Sequence, residues 1–237
     1  MMVGFYKLAF GSSPNKSILT ICASTDNKHT KFYSNLAYQS SQLTPCFEDM
    51  ARLFGEALNA YRSTNNRLPS EIVILRARRS FDEENWASEV NSLLQALKIH
   101  TRNFEFEPRV TYIYYDTEPK ETFTYMRAGR EENSIAGTVV RKAVTSSSYD
   151  FYISCGQSYE YLSRPTYYKV VYCTSLWPED RLQQFIYSQC FNYMGISGVN
   201  RLPAVCRYAK RLAYFVNTLG SDCRIQFDKL THQLFYL

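Results

Sequence analysis

Apolar and aromatic residues form short runs between polar, turn-rich segments in the first part of the chain, which is typical of strands. Residues 3–10, 17–25 and 31–39 are predicted strands, and the turn-rich GSSPNK stretch separates the first two. Because short connections join the three strands, the sheet is predicted to begin as an antiparallel meander.

Apolar residues at helical spacing follow these runs. Thr44 is predicted to cap a first helix with Pro45 at its first position, and Asp82 is predicted to cap a second helix. Pro178 and Pro203 are predicted to begin the last two helices. Further strands are predicted at residues 71–75, 110–115, 137–140, 150–154 and 167–173.

The order of these elements predicts an α/β fold. A meander followed by strand–helix units is typical of the ribonuclease-H-like fold, a mixed β-sheet with helices on both faces. No linker, repeat or low-complexity tract divides the sequence, so residues 1–237 are expected to form a single domain. The charged stretch 116–136 is predicted to be a loop with a short strand near Phe123.

The composition is that of a protein with a real core. Hydrophobic residues make up 45% of the chain, beside only 9 Gly and 8 Pro, which excludes a disordered chain. The formal net charge of +5 permits nucleic-acid binding without requiring it. The 20 tyrosines either cover half-exposed strands, which we expect for most of them, or offer faces for stacking bases.

The cysteine usage indicates a reducing compartment. Seven cysteines are widely spaced without a CxxC pair, and with only three histidines no zinc site is expected. Free, mostly buried thiols favour the cytoplasm, and the nucleus stays open as a second location. The N-terminus lacks the features of a signal peptide, and no apolar run approaches the roughly 20 residues that span a bilayer, so no membrane partner is expected.

Carboxylates are missing where a nuclease of this fold would need them. Such an enzyme clamps its phosphate with two divalent metals held by acidic residues at strand ends. The first predicted strand, VGFYKLAF, contains no acidic residue, and Arg141 with Lys142 follows GTVV. Asp116, Glu118 and Glu121 follow a strand but lack acidic partners at other strand ends, so a solvated loop is the simpler interpretation.

Other catalytic motifs are absent from the sequence. It contains no GxSxG, P-loop or HExxH pattern, so no cofactor is expected. A cysteine nucleophile paired with one of the histidines stays open, although no local pattern supports it.

Basic residues form a pattern on the last predicted helix, LPAVCRYAKRLAYF. Arg207, Lys210, Arg211 and Tyr214 recur at spacings of three and four, so they share one helix face. The opposite face is an apolar stripe made of Cys206, Ala209, Ala213 and Val216. Arg201 lies just before the helix start, where free backbone N–H groups also favour anions.

A second basic cluster, Arg76, Arg78 and Arg79, follows the EIVIL strand. Two interpretations of the clusters stay open. They are either solvated charged surfaces or sites that bind the phosphates of a nucleic acid.

Five segments carry a family resemblance in the same order along the chain. They are EIVILRAR, NSIAGTVV with YDFYIS, SRPTYYKVVY, RLQQFIYSQCFNYM and LPAVCRYAKRLAYF. Together they resemble the PIWI domain of Argonaute proteins, from about the first residue to the last. The resemblance implies a ribonuclease-H-like fold, binding of a small guide RNA and a target RNA, and partners within a silencing complex.

The resemblance also implies what lies outside the chain. Family members carry N-terminal, PAZ and MID domains upstream, and none of them is expected within residues 1–237. Either the sequence is a fragment or it is a truncated product, and a full-length form is expected to need its MID and PAZ domains to anchor the guide.

The family's slicing members hold metal ions with a carboxylate-based tetrad that a histidine completes. The resemblance places these positions at Tyr6, at Thr44 or Pro45, at Arg141 and at Lys210. None of these residues is a fitting metal ligand, so the resemblance implies no metal, no catalytic residue and no slicing.

The family's RNA contacts are only partly present. Phe215 and Gly195 stand where the family has arginines, while Arg201 and Arg207 add charge elsewhere. Arg164, in the SRP segment, is expected to anchor its loop. The predicted nucleic-acid-binding residues are Arg76, Arg78, Arg164, Arg201, Arg207, Lys210 and Arg211.

Three hypotheses of function follow. The first is a catalytically inactive PIWI domain that binds the guide and target backbone in RNA-mediated silencing. The second is an interaction module whose aromatic pockets capture a partner peptide without binding RNA. The third is an active Mg²⁺-dependent RNA endonuclease with relocated metal ligands.

Overall fold

A computed structural model describes residues 1–11, 16–40, 46–78, 85–102, 107–141, 149–156, 163–220 and 229–237. All the predicted strands and helices are present within this part of the chain. The strands are β1 Met2–Ala9, β2 Ser17–Ser24, β3 Phe32–Gln39, β4 Glu71–Ala77, β5 Arg109–Asp116, β6 Thr124–Arg127, β7 Arg130–Asn133, β8 Thr138–Val140, β9 Asp150–Ser154 and β10 Thr166–Cys173. The helices are α1 Phe47–Asn65, α2 Trp86–Thr101, α3 Glu179–Ser188 and α4 Ala204–Leu219, and a 3₁₀ turn, Gln189–Phe191, follows α3. The predicted caps Thr44, Pro45 and Asp82 lie outside the described residues.

The structure divides into two compact units. The first contains Met1–Tyr112, Tyr172–Ser175 and Val205–Leu237, and the second contains Ile113–Val171 and Leu176–Ala204. Strands of the first unit lie in the order β3-β2-β1-β4-β5. Because β1 is antiparallel to β2 and parallel to β4, the sheet is mixed, as predicted.

Strand β2 lies between β1 and β3, and all eight of its residues are buried. A strand covered on both faces carries polar side chains only where they are hydrogen-bonded. The Ser24 hydroxyl oxygen accepts the Met2 N–H at 2.9 Å, and the Ser17 hydroxyl donates to Gln39 Oε1 at 3.2 Å. These bonds let polar residues occupy the interior of the sheet.

The outer strand β3 is covered by residues 229–237. The Ser34 N–H donates to the Thr231 carbonyl at 2.7 Å, and the hydroxyl of buried Tyr236 lies 2.6 Å from Ser34 Oγ. Burial raises the pKa of the neighbouring Cys22 thiol to about 12, so this thiol stays protonated. The covering segment occupies part of a sheet edge that would otherwise be open to pairing.

Helix α4 packs on β1 through a glycine. A Cβ atom at Gly4 would lie 2.7 Å from the Val205 carbonyl carbon and 2.8 Å from the Cys206 nitrogen. The backbone of the first helical turn therefore touches the backbone of the strand. The predicted apolar stripe of α4 is confirmed as buried, at Cys206, Ala209, Ala213 and Val216.

The second unit contains the antiparallel strands β10-β9-β8 and a separate hairpin of β6 and β7. The hairpin corrects the prediction that residues 116–136 form a loop with one short strand. Ala128 and Gly129, at its turn, both have positive φ, of 49° and 79°, which is typical of a two-residue hairpin turn. Its strands are charged and partly exposed, so the two-residue hydrophobic alternation that predicts strands is missing.

No helix in the described part of the chain has the length and apolar character needed to cross a bilayer.

Replacing Gly4 with alanine is expected to lower the free energy of unfolding by about 1–3 kcal/mol, because the added methyl group overlaps backbone atoms of α4 that have little room to move. Urea unfolding measures this change. Gly11→Ala is the matched control, since a Cβ there would meet no atom within 4 Å. Equal stability of the two variants would show that α4 does not press on β1.

Candidate functional site

Two of the positions that the resemblance aligns with metal ligands come together in the first unit. The Lys210 ammonium lies 5.8 Å from the ring centroid of Tyr6 and 5.9 Å from that of Tyr214. The two ring centroids are 6.3 Å apart and their planes are tilted by 33°. Lys210 and the two tyrosines thus form one cluster, which we call the Tyr–Lys–Tyr cluster.

The contact at Gly4 explains why this cluster forms. Tyr6 lies two residues beyond Gly4 on the same face of β1, a distance of about 7 Å at ~3.3 Å per residue. Lys210 lies five residues beyond Val205, about 7.5 Å along the helix at ~1.5 Å per residue. The Thr20 hydroxyl lies 2.9 Å from the Ala209 carbonyl oxygen and 3.0 Å from that of Tyr6, so it bridges the helix and the strand.

The chemistry of the aligned positions does not fit a Mg²⁺ ion. Mg²⁺ takes oxygen ligands, chiefly carboxylates, whereas Tyr6 offers a phenol and Lys210 an ammonium group. Among the described residues, no group of three or more His, Cys, Asp or Glu side chains is arranged to hold a metal ion. Thr44 and Pro45 lie outside the described residues.

Arg141, the third aligned position, belongs to the second unit and is paired with two carboxylates. Its Nη1 lies 2.7 Å from Glu179 Oε2 and 3.3 Å from Asp180 Oδ1. Both acids stand in the first turn of α3, where negative charge is also favoured by the helix dipole. The guanidinium charge of Arg141 is therefore offset within the protein.

The basic face of α4 is partly open to solvent. Arg207 and Lys210 are half-buried, Arg211 is exposed, and 47% of the Tyr214 side chain is exposed. Neither Lys210 nor Arg211 forms an ion pair with any carboxylate in the described ranges. These two cations are therefore available to an anionic ligand.

Arg164 and Arg201 share one carboxylate in the second unit. Arg164 Nη1 lies 2.7 Å from Glu118 Oε2, and Arg201 Nη1 lies 3.8 Å from Glu118 Oε1. Arg201 also donates from Nη2 to the Pro165 carbonyl at 3.4 Å. These contacts join the segment before β10 to Glu118 and Arg201, so a phosphate would compete with Glu118 for both arginines.

The structure contradicts the prediction that Arg76 contacts nucleic acid. Its side chain is fully buried, with Nε 3.7 Å from Glu89 Oε1, and the second Glu89 oxygen accepts the Tyr112 hydroxyl at 2.5 Å. The strand β4 extends through Ala77, so Arg76 is part of the sheet and not of the turn that follows it. Arg78 is exposed, and Arg79 lies outside the described residues.

The sequence carries a signal for the first of these pairings and none for the second. Glu89 falls on the apolar face of α2, four and eight positions before Leu93 and Leu97, and a buried acid there requires a buried base. Glu118 was interpreted as a solvated loop residue because its partners lie 46 and 83 positions away, and sequence spacing does not show such distant pairs.

Phe215, aligned with a phosphate-binding arginine of the family, is half-buried in the first unit. Its ring meets that of Phe235 edge to face, with centroids 5.8 Å apart. The position contributes to packing and offers no charge.

Comparisons with known proteins identify the family of this chain. A family model described as the Piwi domain matches residues 1–220. The chain is 32% identical to Piwi-like protein 1 of Gallus gallus over 207 residues, covering 86% of this chain and 24% of that protein. It is 27% identical to Protein piwi of Drosophila melanogaster over 222 residues, covering 92% of this chain and 26% of that protein. The chain thus spans about a quarter of the length of these curated relatives.

Solved structures share the fold. The crystal structure of Drosophila Piwi matches with a TM-score of 0.79 at 23% identity, covering 100% of this chain and 32% of that one. The C-terminal lobe of a budding yeast Argonaute matches with a TM-score of 0.83 at 20% identity, covering 100% of this chain and 53% of that one. Kluyveromyces polysporus Argonaute with a guide RNA matches with a TM-score of 0.78 at 22% identity, covering 90% of this chain and 28% of that one. The predicted ribonuclease-H-like fold is confirmed.

Replacing Arg76 with methionine is expected to lower the free energy of unfolding by about 3–5 kcal/mol, because it leaves the Glu89 carboxylate buried without its cation. Urea denaturation compares this variant with Arg78→Met, which removes the same charge at an exposed position. Adding Glu89→Gln to Arg76→Met is expected to restore part of the loss. If Arg76→Met cost no more than Arg78→Met, the buried ion pair would not contribute to stability.

Proposed function

This chain belongs to the Piwi domain family, and from that premise we propose that it binds the backbone of a small guide RNA and its target without cutting either. The proposal rests on one observation above all. The exposed face of α4 carries Lys210 and Arg211 without a described carboxylate partner, next to the half-exposed ring of Tyr214.

Phosphate contacts suit such a surface. Cations that touch phosphates fix the position of a nucleic acid, while pairing between guide and target supplies the sequence specificity. The protein therefore needs no side chains that read base edges. One of the solved structures with the same fold carries a guide RNA, which is in keeping with this role.

The proposed absence of slicing rests on donor chemistry. Tyr6, Arg141 and Lys210 supply one phenol and two cations where a two-metal nuclease needs carboxylates. The Lys210 ammonium lies beside two tyrosine rings, and the Arg141 guanidinium is paired with two carboxylates. Contacts within the protein therefore hold both cations at the aligned metal positions. We propose that the domain silences through recruited proteins, as a pseudoenzyme within a ribonucleoprotein.

The wider setting is also a proposal. A longer form of the protein would hold the guide ends with MID and PAZ domains, and the free thiols of the described cysteines suit the cytoplasm, with the nucleus as a second location.

A specific surface favours the second candidate function, that of a protein-interaction module. Phe191, Met194 and Ile196 stand within six positions of one another after α3 and are 52%, 68% and 48% exposed. Exposed apolar groups this close together favour contact with another protein.

Removing charge from α4 is expected to weaken RNA binding and its dependence on salt. Each lost phosphate contact should reduce the slope of log affinity against log salt by about one, so Arg211→Gln should show this change in fluorescence anisotropy titrations. Lys98→Gln, which removes one charge from an exposed position of α2, is the control and should leave both quantities unchanged. Equal behaviour of the two variants would show that α4 is not the RNA surface.

Slicing is expected to be absent. A guide-matched target RNA, incubated with the guide-loaded protein and Mg²⁺, should remain intact on a denaturing gel while a slicing Argonaute cuts the same target. Cleavage at one guide-directed position, abolished by chelating the metal, would refute the inactive assignment and favour relocated ligands.

A further inference from the structure

We propose that the Tyr–Lys–Tyr cluster on α4 and β1 is a stacking site for one unpaired nucleotide. Its base lies against the exposed part of the Tyr214 ring, and its phosphate lies against Lys210 and Arg211. The inference rests on the proposed function, because it takes RNA as the ligand of α4. It goes further in naming the ligand as a strand that leaves its duplex, in place of a fully paired backbone.

The position of Lys210 is the first support. Its ammonium is about equally far from the centroids of Tyr6 and Tyr214, at 5.8 and 5.9 Å, so both rings attract it. Contact with two rings reduces the freedom of a long side chain. The charge is therefore held beside the aromatic surface before any ligand arrives.

The exposure of Tyr214 is the second support. Tyr6 is half-buried in β1, whereas 47% of the Tyr214 side chain is exposed. A ring this open beside a fixed cation combines the two elements that bind single-stranded RNA, an aromatic face for the base and a positive charge for the backbone.

The spacing of the rings decides how a base would bind. A base inserted between two parallel rings needs roughly twice the stacking distance of about 3.5 Å, whereas the Tyr6 and Tyr214 centroids are 6.3 Å apart, tilted by 33°, with the ammonium beside both. The gap is too narrow for insertion. The base therefore lies on the outer surface of Tyr214, and Tyr6 supports Lys210.

A fully paired RNA offers no free base to the Tyr214 ring. In an A-form helix the bases stack on one another, and a protein meets mainly phosphates and 2′-hydroxyls. A base becomes available to a tyrosine only where the strand is unpaired. Lys210 and Arg211 bind the phosphates of single-stranded and of double-stranded RNA alike, so Tyr214 causes the preference for single strands.

The test compares a short single-stranded RNA of mixed sequence with the same RNA annealed to its complement. The chain and its variants are titrated with each labelled probe in fluorescence anisotropy. Tyr214→Leu should weaken the single-stranded probe by about fivefold to a hundredfold, as expected for one lost stacking contact, and the duplex by less than twofold. Tyr214→Phe keeps the ring and should bind both probes like the unaltered chain.

A spectroscopic readout separates stacking from a loss of folding. A single-stranded probe with one 2-aminopurine should change its fluorescence on binding to the unaltered chain and to Tyr214→Phe, but not at saturation with Tyr214→Leu. Thermal unfolding of the variants should be alike, since the side chain is half exposed. Lys210→Met should weaken both probes.

The outcomes distinguish the two proposals. If Tyr214→Leu binds both probes normally while Arg211→Gln weakens both, the stacking site is refuted and RNA binding by α4 stands. If Tyr214→Leu weakens both probes equally, Tyr214 contacts the backbone, and the preference for unpaired nucleotides is refuted. If the unaltered chain binds neither probe, both proposals fail.

Discussion

The arrangement of the first unit depends on the contact between two backbones at Gly4. Side chains normally hold a helix away from a sheet, but here the first turn of α4 reaches the strand because Gly4 has no Cβ. Through this contact the apolar stripe of α4 is buried on the sheet, and Lys210 of the basic face lies beside Tyr6 of β1. The Thr20 hydroxyl then joins both elements at Ala209 and Tyr6. The position of Lys210 beside Tyr6 is a consequence of this packing.

Whether a basic side chain is paired with a carboxylate tells more about its role than how exposed the side chain is. Glu89 holds Arg76 in the core, Glu118 joins Arg164 to Arg201, and two acids of α3 hold Arg141. A paired cation organises its own surroundings and binds a phosphate only in competition with its carboxylate. Lys210 of α4 lies beside aromatic rings in place of described acids, and a ring attracts a cation without neutralising it. The net charge of the whole chain does not reveal this difference.

Most elements were predictable because each has a local signal. The strands of the meander are short runs of apolar and aromatic residues next to turn-rich segments, and Pro178 and Pro203 stand directly before α3 and α4. The hairpin β6–β7 was not predicted, since its exposed strands carry charges on either side of a turn that only the backbone angles identify. Arg76 was misassigned for a related reason. A run of arginines after an apolar stretch indicates a surface turn, while the strand in fact continues as far as Ala77.

The amino-acid sequence is sufficient to establish the order of most elements, the family, and the residue types at the aligned metal positions. These follow from short-range spacing and from the identity of single residues. Tertiary contacts, in turn, set which basic residues remain available to a ligand and which ring lies beside them. Glu118 meets its arginines from 46 and 83 positions away, and Tyr6 meets Lys210 from the other end of the chain. Ion-pair and cation–π contacts form only between groups that lie within a few ångströms of each other, so they depend on which residues folding brings together.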